Sequence, residues 1–304
     1  MRVFVTGATG FVGSAIVPEL IGAGHDVVGL ARSDQAAAAL RRAGAEVHRG
    51  ALDDLDSLRS GAAASDGVIH CAFIHDFARL DSAGRTDHRA VKTLGAALAG
   101  SGRPLVVTSG IGLLAPGRVA TENDSPDPAS RASHRAPSEA ATLGPAARGV
   151  RSSVLRLPPS VHGNGDHGFV PTLIDIARTK GVSGYVGDGS NRWPAVHRLD
   201  AARLFRLALE TAPAGSVLHG AAEEGVPTRA IAEVIGRHLG VPVTAVAPEE
   251  AAEHFGWIAG FFATDVPASS ALTRERTGWD PVQPGLIADL EQGHYFREAH
   301  PAAA

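Results

Sequence analysis

The chain has 304 residues, of which 44% are hydrophobic and 20% charged, and a formal net charge of −4. So much apolar material suits a buried core, and a mildly acidic chain has no basic field to draw it onto phosphate backbones or anionic lipid, so nucleic acid is excluded as an expected partner. Its single cysteine, Cys71, forbids an intramolecular disulfide; with no apolar run near the ~20 residues that span a bilayer and no apolar leader after a charged start, a cytoplasmic protein without a membrane partner is expected.

Short apolar runs alternate with alanine-rich amphipathic stretches through the first two-thirds of the chain, the pattern of a parallel sheet covered by helices. Strands are predicted at residues 2–5, 26–30, 46–49, 67–71, 104–108, 152–156 and 216–219. Helices are predicted between them at 11–23, 34–42, 54–62, 85–99, 133–147 and 200–210, with Asp34 and Asp200 as N-caps. Beyond Pro158 glycines crowd together (Gly163, Gly165, Gly168, then Gly181, Gly184, Gly187, Gly189) ahead of Trp193-Pro194, which reads as loops and short elements over a binding cleft. A helix at 228–239, opened by Pro227, and the tail from Ala263 would complete a smaller lobe.

The first strand runs directly into Thr6-Gly7-Ala8-Thr9-Gly10-Phe11-Val12-Gly13 and then a helical pattern. Glycines here permit a tight turn, let backbone N–H groups approach a pyrophosphate, and let the helix pack closely on the strand. The helix N-terminus then faces the phosphates. A glycine-rich turn can also simply join two elements, but its position between the first strand and the first helix favours a dinucleotide. At the end of the second strand, where a carboxylate would bind the ribose diol of NAD, Arg32 offers a guanidinium to a 2′-phosphate, with Ser33 beside it. NADP(H) is therefore the predicted cofactor; the alternative is that Arg32 is a solvated loop cation beside Asp34.

These residues resemble the TGxxGxxG signature of extended and atypical short-chain dehydrogenases/reductases, and the resemblance runs through nearly the whole chain. It continues in Val68-Ile69-His70-Cys71-Ala72, in Val106-Val107-Thr108-Ser109-Gly110, in Arg156-Leu157-Pro158-Pro159-Ser160-Val161-His162-Gly163, and in Trp193-Pro194-Ala195-Val196-His197-Arg198-Leu199-Asp200-Ala201-Ala202. It implies an α/β fold with a Rossmann-type doubly wound parallel sheet and a smaller C-terminal substrate lobe. Residues 1–157, with a return segment at about 196–220, would form the dinucleotide-binding domain, and 158–195 with 221–304 the lobe. The cofactor contacts it implies are Gly7, Thr9, Gly10, Phe11, Val12, Gly13, Arg32, Ser33, Leu52, Ala72, Phe73, Thr108, Arg135, Pro158 and Val161. Similar proteins often set an Asp-Leu or Asp-Val pair against adenine; this chain has Ala51-Leu52, so only Leu52 carries over. Similar proteins also dimerise through the helices predicted here at 85–99 and 133–147, the first rich in Ala and Leu on one face, so a homodimer is expected.

The family's catalytic pair, a Tyr with a Lys four residues later, is absent. The two tyrosines are Tyr185 and Tyr295, followed four residues on by Gly189 and Ala299. Matching the family's Tyr-x-x-Ser-Lys-x-Ala to Arg135-Ala136-Pro137-Ser138-Glu139-Ala140-Ala141 puts Arg135 at the tyrosine and Glu139 at the lysine. Spaced i and i+4, they form either an ordinary surface pair or a cleft cation whose donors are oriented by Glu139. Arg135 is a poor proton donor, so it would polarise an acceptor or hold an anion. Of the 14 histidines, His134, His162 and His167 are the candidate proton shuttles, His162 foremost. Ser109, or Gly110 one residue later, matches the family's substrate-oxygen ligand. Ser109, Arg135, Glu139 and His162 are thus the catalytic candidates.

No HExxH occurs and one Cys rules out thiolate clusters, so no metal is expected; the alternative is a site made by His162 and His167 with Asp166. The Gly-x-Ser-x-Gly elbow of α/β-hydrolases is also missing. Phe73, Phe169, Tyr185, Trp193, Trp257, Phe261 and Phe262 suit a small apolar ligand better than a nucleotide sugar. The expected activity is NADPH-dependent reduction of a small or medium apolar C=O, C=N or activated C=C substrate. A non-catalytic NADP(H) sensor and a nucleotide-sugar epimerase or dehydratase stay open as alternatives.

Overall fold

The computed structural model describes residues 1–76 and 79–297. In chain order its first half runs β1 (Arg2–Thr6), α1 (Gly13–Gly22), β2 (Asp26–Ala31), α2 (Asp34–Arg42), β3 (Glu46–Arg49), α3 (Leu55–Ala63), β4 (Gly67–His70), α4 (Leu80–Ala97), β5 (Pro104–Gly110), α5 (Ala136–Leu143) and β6 (Arg151–Leu157). There follow β7 (Ser160–His162), α6 (Phe169–Lys180), β8 (Ser183–Val186), β9 (Arg192–His197), α7 (Arg198–Thr211), β10 (Ser216–His219), β11 (Glu223–Pro227) and α8 (Thr228–Leu239). Last come β12 (Val243–Val246), α9 (Ala251–Phe255), α10 (Ala259–Phe262), α11 (Ala271–Thr277) and α12 (Leu286–Glu291).

Seven strands form one parallel sheet in the order β10-β6-β5-β4-β1-β2-β3. Chain order reverses between β1 and β4, and the carboxyl ends of strands at such a switch point open a crevice for a ligand. Alternation along β1 decides which helices cover which face. Val3 and Val5 join Ile16 and Leu20 of α1 and Phe205 of α7, whereas Phe4 joins Leu58 of α3 and Val91 and Leu94 of α4. A second core, with Val170, Ile174, Trp193, Ile231, Ile235, Phe255, Phe262 and Leu286, gathers α6, α8, α10 and α12 around β9. There β9 pairs with β7 and β11, while β8 pairs with β12.

All seven predicted sheet strands are present, with ends shifted by at most two residues. The helices depart further from the predicted ranges. α4 starts at Leu80 rather than residue 85, and its Ala/Leu face (Ala83, Ala90, Val91, Leu94) is spent on the chain's own core. The outward positions carry Asp81, Ser82, Arg85, Arg89 and Lys92, so the face that α4 leaves exposed is polar. The expected helix at 133–147 is three pieces: a 3-10 turn Ser133–Arg135, α5, and a 3-10 turn Gly144–Arg148, broken where Pro145 has no N–H to continue the ladder. Ser33, not Asp34, caps α2, its Oγ accepting from Ala36 N at 3.2 Å, and His197, not Asp200, caps α7. The glycine-rich stretch holds a full 12-residue helix, α6, besides its loops. Among the described residues no helix is long and apolar enough to cross a membrane.

Candidate active site

The turn after β1 is shaped by three glycines with different tasks. Gly7 has φ +69°, and a Cβ there would lie 2.7 Å from Ala72 N at the end of β4. A Cβ on Gly13 would lie 2.0 Å from Gly7 O, so α1 could not sit this close to β1 with any other residue. A Cβ on Gly10, which is exposed like Thr9, would meet only Gly7 O at 3.2 Å. Phe11 and Val12 are half-buried. No side chain caps α1 and no acid occupies its first turn; Ser14 N and Ala15 N donate back to Gly10 O and Val12 O, so it is the positive end of the helix and the backbone ahead of Ser14 that face an anion. This cradle fits a pyrophosphate.

Beside it, Arg32 at the end of β2 is exposed and makes no ion pair among the described residues, Asp34 being paired with Arg49. Ser33 combines its capping role with an exposed hydroxyl. Leu52 is half-buried against the cluster of Leu30 and Leu58. Pro158 is buried just after β6, and Val161 of β7 packs against the sheet core.

The ends of β4 and β5 build the neighbouring region. Thr6 Oγ1 lies 2.8 Å from His70 Nδ1 and accepts from Ala72 N at 3.3 Å, and Thr108 Oγ1 donates to His70 O at 2.9 Å. His70 Nε2 is 3.1 Å from Asp87 Oδ1, both residues fully buried. Burial pushes the Asp87 carboxyl up, but the His70 hydrogen bond and the charges of His70 and Arg135 outweigh it and hold the group below its ordinary value. Burial pushes the Cys71 thiol up to about 12, despite Thr108 and Arg135 nearby.

Arg135 stands on the 3-10 turn before α5. Its Nη2 donates to Thr108 O at 2.7 Å, its Cζ lies 4.0 Å from the centroid of the Phe73 ring, and its Nε is buried with no hydrogen-bond partner among the described residues. Burial lowers its pKa, opposed first by the charge of Asp87 and then by that of Glu139. The rings of His75 and His134 flank Phe73 at 5.3 and 5.9 Å. Burial and the charge of Arg135 push both imidazoles down.

Glu139 does not orient Arg135, contrary to the i, i+4 expectation. It is buried and forms a bidentate pair with Arg156 of β6, accepting from Nε at 3.1 Å and from Nη2, and it also accepts from Ser109 Oγ at 2.9 Å. Arg156 Nη1 donates to Asp124 O at 2.9 Å and to His219 Nε2 at 3.3 Å. The i, i+4 spacing misled because the 3-10 turn ends at Arg135 and α5 begins after it, turning the two side chains to different neighbours. Sequence reasoning missed both partners. Arg156 was legible as a charge inside an apolar strand, and Asp87 as an acid in line with Ala83 and Val91 on a buried helix face.

His162, expected as a proton shuttle, is fully buried in β7, its Nδ1 2.9 Å from Asp289 Oδ2 of α12 and its ring 5.4 Å from that of His197, so it ties β7 to α12 instead of facing solvent. His167 is exposed, and its ring centroid lies 5.8 Å from that of Phe11 in an edge-on arrangement. Of the aromatic residues expected in the pocket, Trp193 and Phe262 are core. Trp257 remains 48% exposed, and Tyr185 lies under Arg229. Among the described residues no group of three or more His, Cys, Asp or Glu side chains could hold a metal.

A doubly wound sheet with an anion-ready, glycine-rich turn at its switch point defines a nucleotide-binding α/β protein. The model of the NAD dependent epimerase/dehydratase family matches residues 3–219, and the chain belongs to that family, as its short-chain dehydrogenase/reductase motifs implied. It is 51% identical over 298 residues to an uncharacterized protein of Schizosaccharomyces pombe, covering 97% of this chain and 100% of that one. It is 31% identical over 231 residues to the 4-hydroxy-2-methyl-3-oxo-4-farnesyl-3,4-dihydroquinoline-1-oxide ketoreductase of Stigmatella aurantiaca, covering 71% of this chain and 67% of that protein. Its fold is that of a dTDP-glucose 4,6-dehydratase from Streptomyces venezuelae solved with NAD bound, with 21% identity, a TM-score of 0.77 and coverage of 98% and 97% of the two chains.

Proposed function

We propose that this protein is an NADPH-dependent reductase of a small or medium apolar substrate with a C=O, C=N or activated C=C bond, working without a catalytic tyrosine. The observation that carries the proposal is Arg135, a guanidinium held between the Thr108 carbonyl and the Phe73 ring at the position where the family places its tyrosine. The Stigmatella aurantiaca ketoreductase supports a carbonyl acceptor. NADPH, when bound, supplies the hydride.

The chain's own residues do the rest. The turn Gly7, Thr9, Gly10, Phe11, Val12, Gly13 receives the pyrophosphate at the N-terminus of α1. Arg32 and Ser33 take the 2′-phosphate, and Leu52 lies against adenine. Ala72, Phe73, Thr108, Pro158 and Val161 border the nicotinamide end. Arg135 polarises the acceptor atom as negative charge develops on it, and Asp87, backed by His70, keeps that cation charged where burial opposes it. Ser109 donates its proton to Glu139, so it cannot also donate that proton to substrate. His75 and His134 are pushed toward the neutral form, which leaves water or an already protonated substrate as the proton source.

The missing Tyr/Lys pair is the one observation that favours a non-catalytic NADP(H) sensor. Incubation with NADPH and a panel of ketones, imines and enones, followed by cofactor absorbance, decides between the two. Turnover of any member establishes the reductase; NADPH binding with no turnover across the panel favours the sensor.

A further inference from the structure

We infer that Arg198 is a pyrophosphate-binding residue that reaches the dinucleotide turn from the start of α7. The inference rests on the dinucleotide reading above and adds a ligand that the glycine motif does not contain. The Arg198 Cζ lies 5.1 Å from the centroid of the Phe11 ring, and Phe11 is part of the turn that leads into α1. Its Nη1 donates to Asn164 O at 2.8 Å, which ties the same guanidinium to the glycine-rich loop at 163–168.

Two features make this cation unusual. Arg198 is the first residue of a 14-residue helix, where the positive end of the helix dipole disfavours a cation. The acid in that first turn, Asp200, accepts instead from Val282 N at 3.1 Å and Gln283 N at 2.9 Å, and among the described residues Arg198 has no ion-pair partner. A half-buried cation therefore sits without a counter-charge against the ring of Phe11, next to the uncapped N-terminus of α1. A pyrophosphate bound there gives this cation a counter-charge and gains a charge-assisted hydrogen bond.

The loop is built to hold this arrangement. Gly163 has φ +129°, and a Cβ on it would lie 2.8 Å from His197 Nε2, so loop and helix start are packed tightly. Tyr295 Oη accepts from Gly163 N at 3.0 Å and donates to Asp166 Oδ2 at 3.0 Å, while Asp166 Oδ1 accepts from Gly168 N at 2.7 Å. With these bonds the Asp166 carboxylate is engaged within its own loop and with Tyr295.

The test is calorimetric titration of wild type, Arg198→Ala and Arg198→Lys with NADPH, with 2′-phospho-ADP-ribose, which keeps the pyrophosphate but lacks nicotinamide, and with 2′,5′-ADP, which lacks the pyrophosphate. Arg198→Ala is expected to weaken the first two about tenfold and leave the third within about twofold, with Arg198→Lys in between. Equal weakening of all three would mean that Arg198 only braces the loop, and no weakening of any would mean that it does not touch the cofactor. Either result overturns the inference while leaving the dinucleotide reading intact. Failure of the unmodified protein to bind any of the three overturns that reading and the inference with it.

Discussion

Removing the Glu139 carboxylate should unsettle the fold rather than only the chemistry. Glu139 and Arg156 are each at most 3% exposed, and their bidentate pair is the sole charge compensation described for the Arg156 guanidinium, which otherwise reaches only Asp124 O and His219 Nε2. Glu139→Ala therefore leaves a buried cation unpaired, a loss of about 3–5 kcal/mol, and strands the Ser109 hydroxyl at a further cost of about 1 kcal/mol. Set against the ~5–15 kcal/mol that holds a typical domain together, the total is a large share. At roughly 2–4 °C per kcal/mol the midpoint should fall by about 10 °C or more in a thermal melt followed by circular dichroism. Glu139→Gln keeps an acceptor and should lose less. The double variant Glu139→Met/Arg156→Met, which removes both charges, should be more stable than Glu139→Ala, since apolar replacement of a whole buried pair is often neutral. A wild-type midpoint in Glu139→Ala, or a double variant less stable than Glu139→Ala, would refute the buried-pair argument.

NADPH should bind at least about tenfold more tightly than NADH by fluorescence titration, and Arg32→Ala should narrow the gap; equal affinities in wild type would count against a 2′-phosphate site at Arg32. Arg135→Ala should lower kcat roughly a hundredfold while moving the NADPH Kd little, whereas wild-type turnover would return Arg135 to a packing role. Burial depresses His219, with His75, His134 and His197 shifted the same way, so these groups take up protons more readily in the unfolded chain. Stability should accordingly decline as pH falls from about 7 to about 5, and a flat denaturation midpoint over that window would contradict the sign. Cys71, with its thiol pushed up to about 12, should resist iodoacetamide at pH 8 in the folded protein and react once denaturant is added.

The sheet was legible because its signal is local. Strands such as Val3-Phe4-Val5 are short, continuous apolar runs bounded by turn residues, and the glycine turn needs no long-range partner to be recognised. What escaped is what depends on contacts across the chain. The spacing of Arg135 and Glu139 suggested a pair, but Arg156, 17 residues beyond Glu139, and Asp87, on another helix, determine where these charges go. His162 looked like a cleft histidine from its place beside the glycine-rich loop; Asp289, 127 residues away, makes it a buried brace. Nothing in the local sequence around Arg198 signals a ligand, since only the folded chain brings it to Phe11.

The most direct test of the reductase follows the hydride itself. The purified protein is given NADPH carrying deuterium at the transferable C4 position together with the ketone, imine or enone it consumes, and the product is examined by mass spectrometry and NMR. The account predicts deuterium on the reduced carbon, at a rate that falls steeply in Arg135→Ala while NADPH binding persists. Tight NADPH binding with no labelled product from any member of the panel would contradict it.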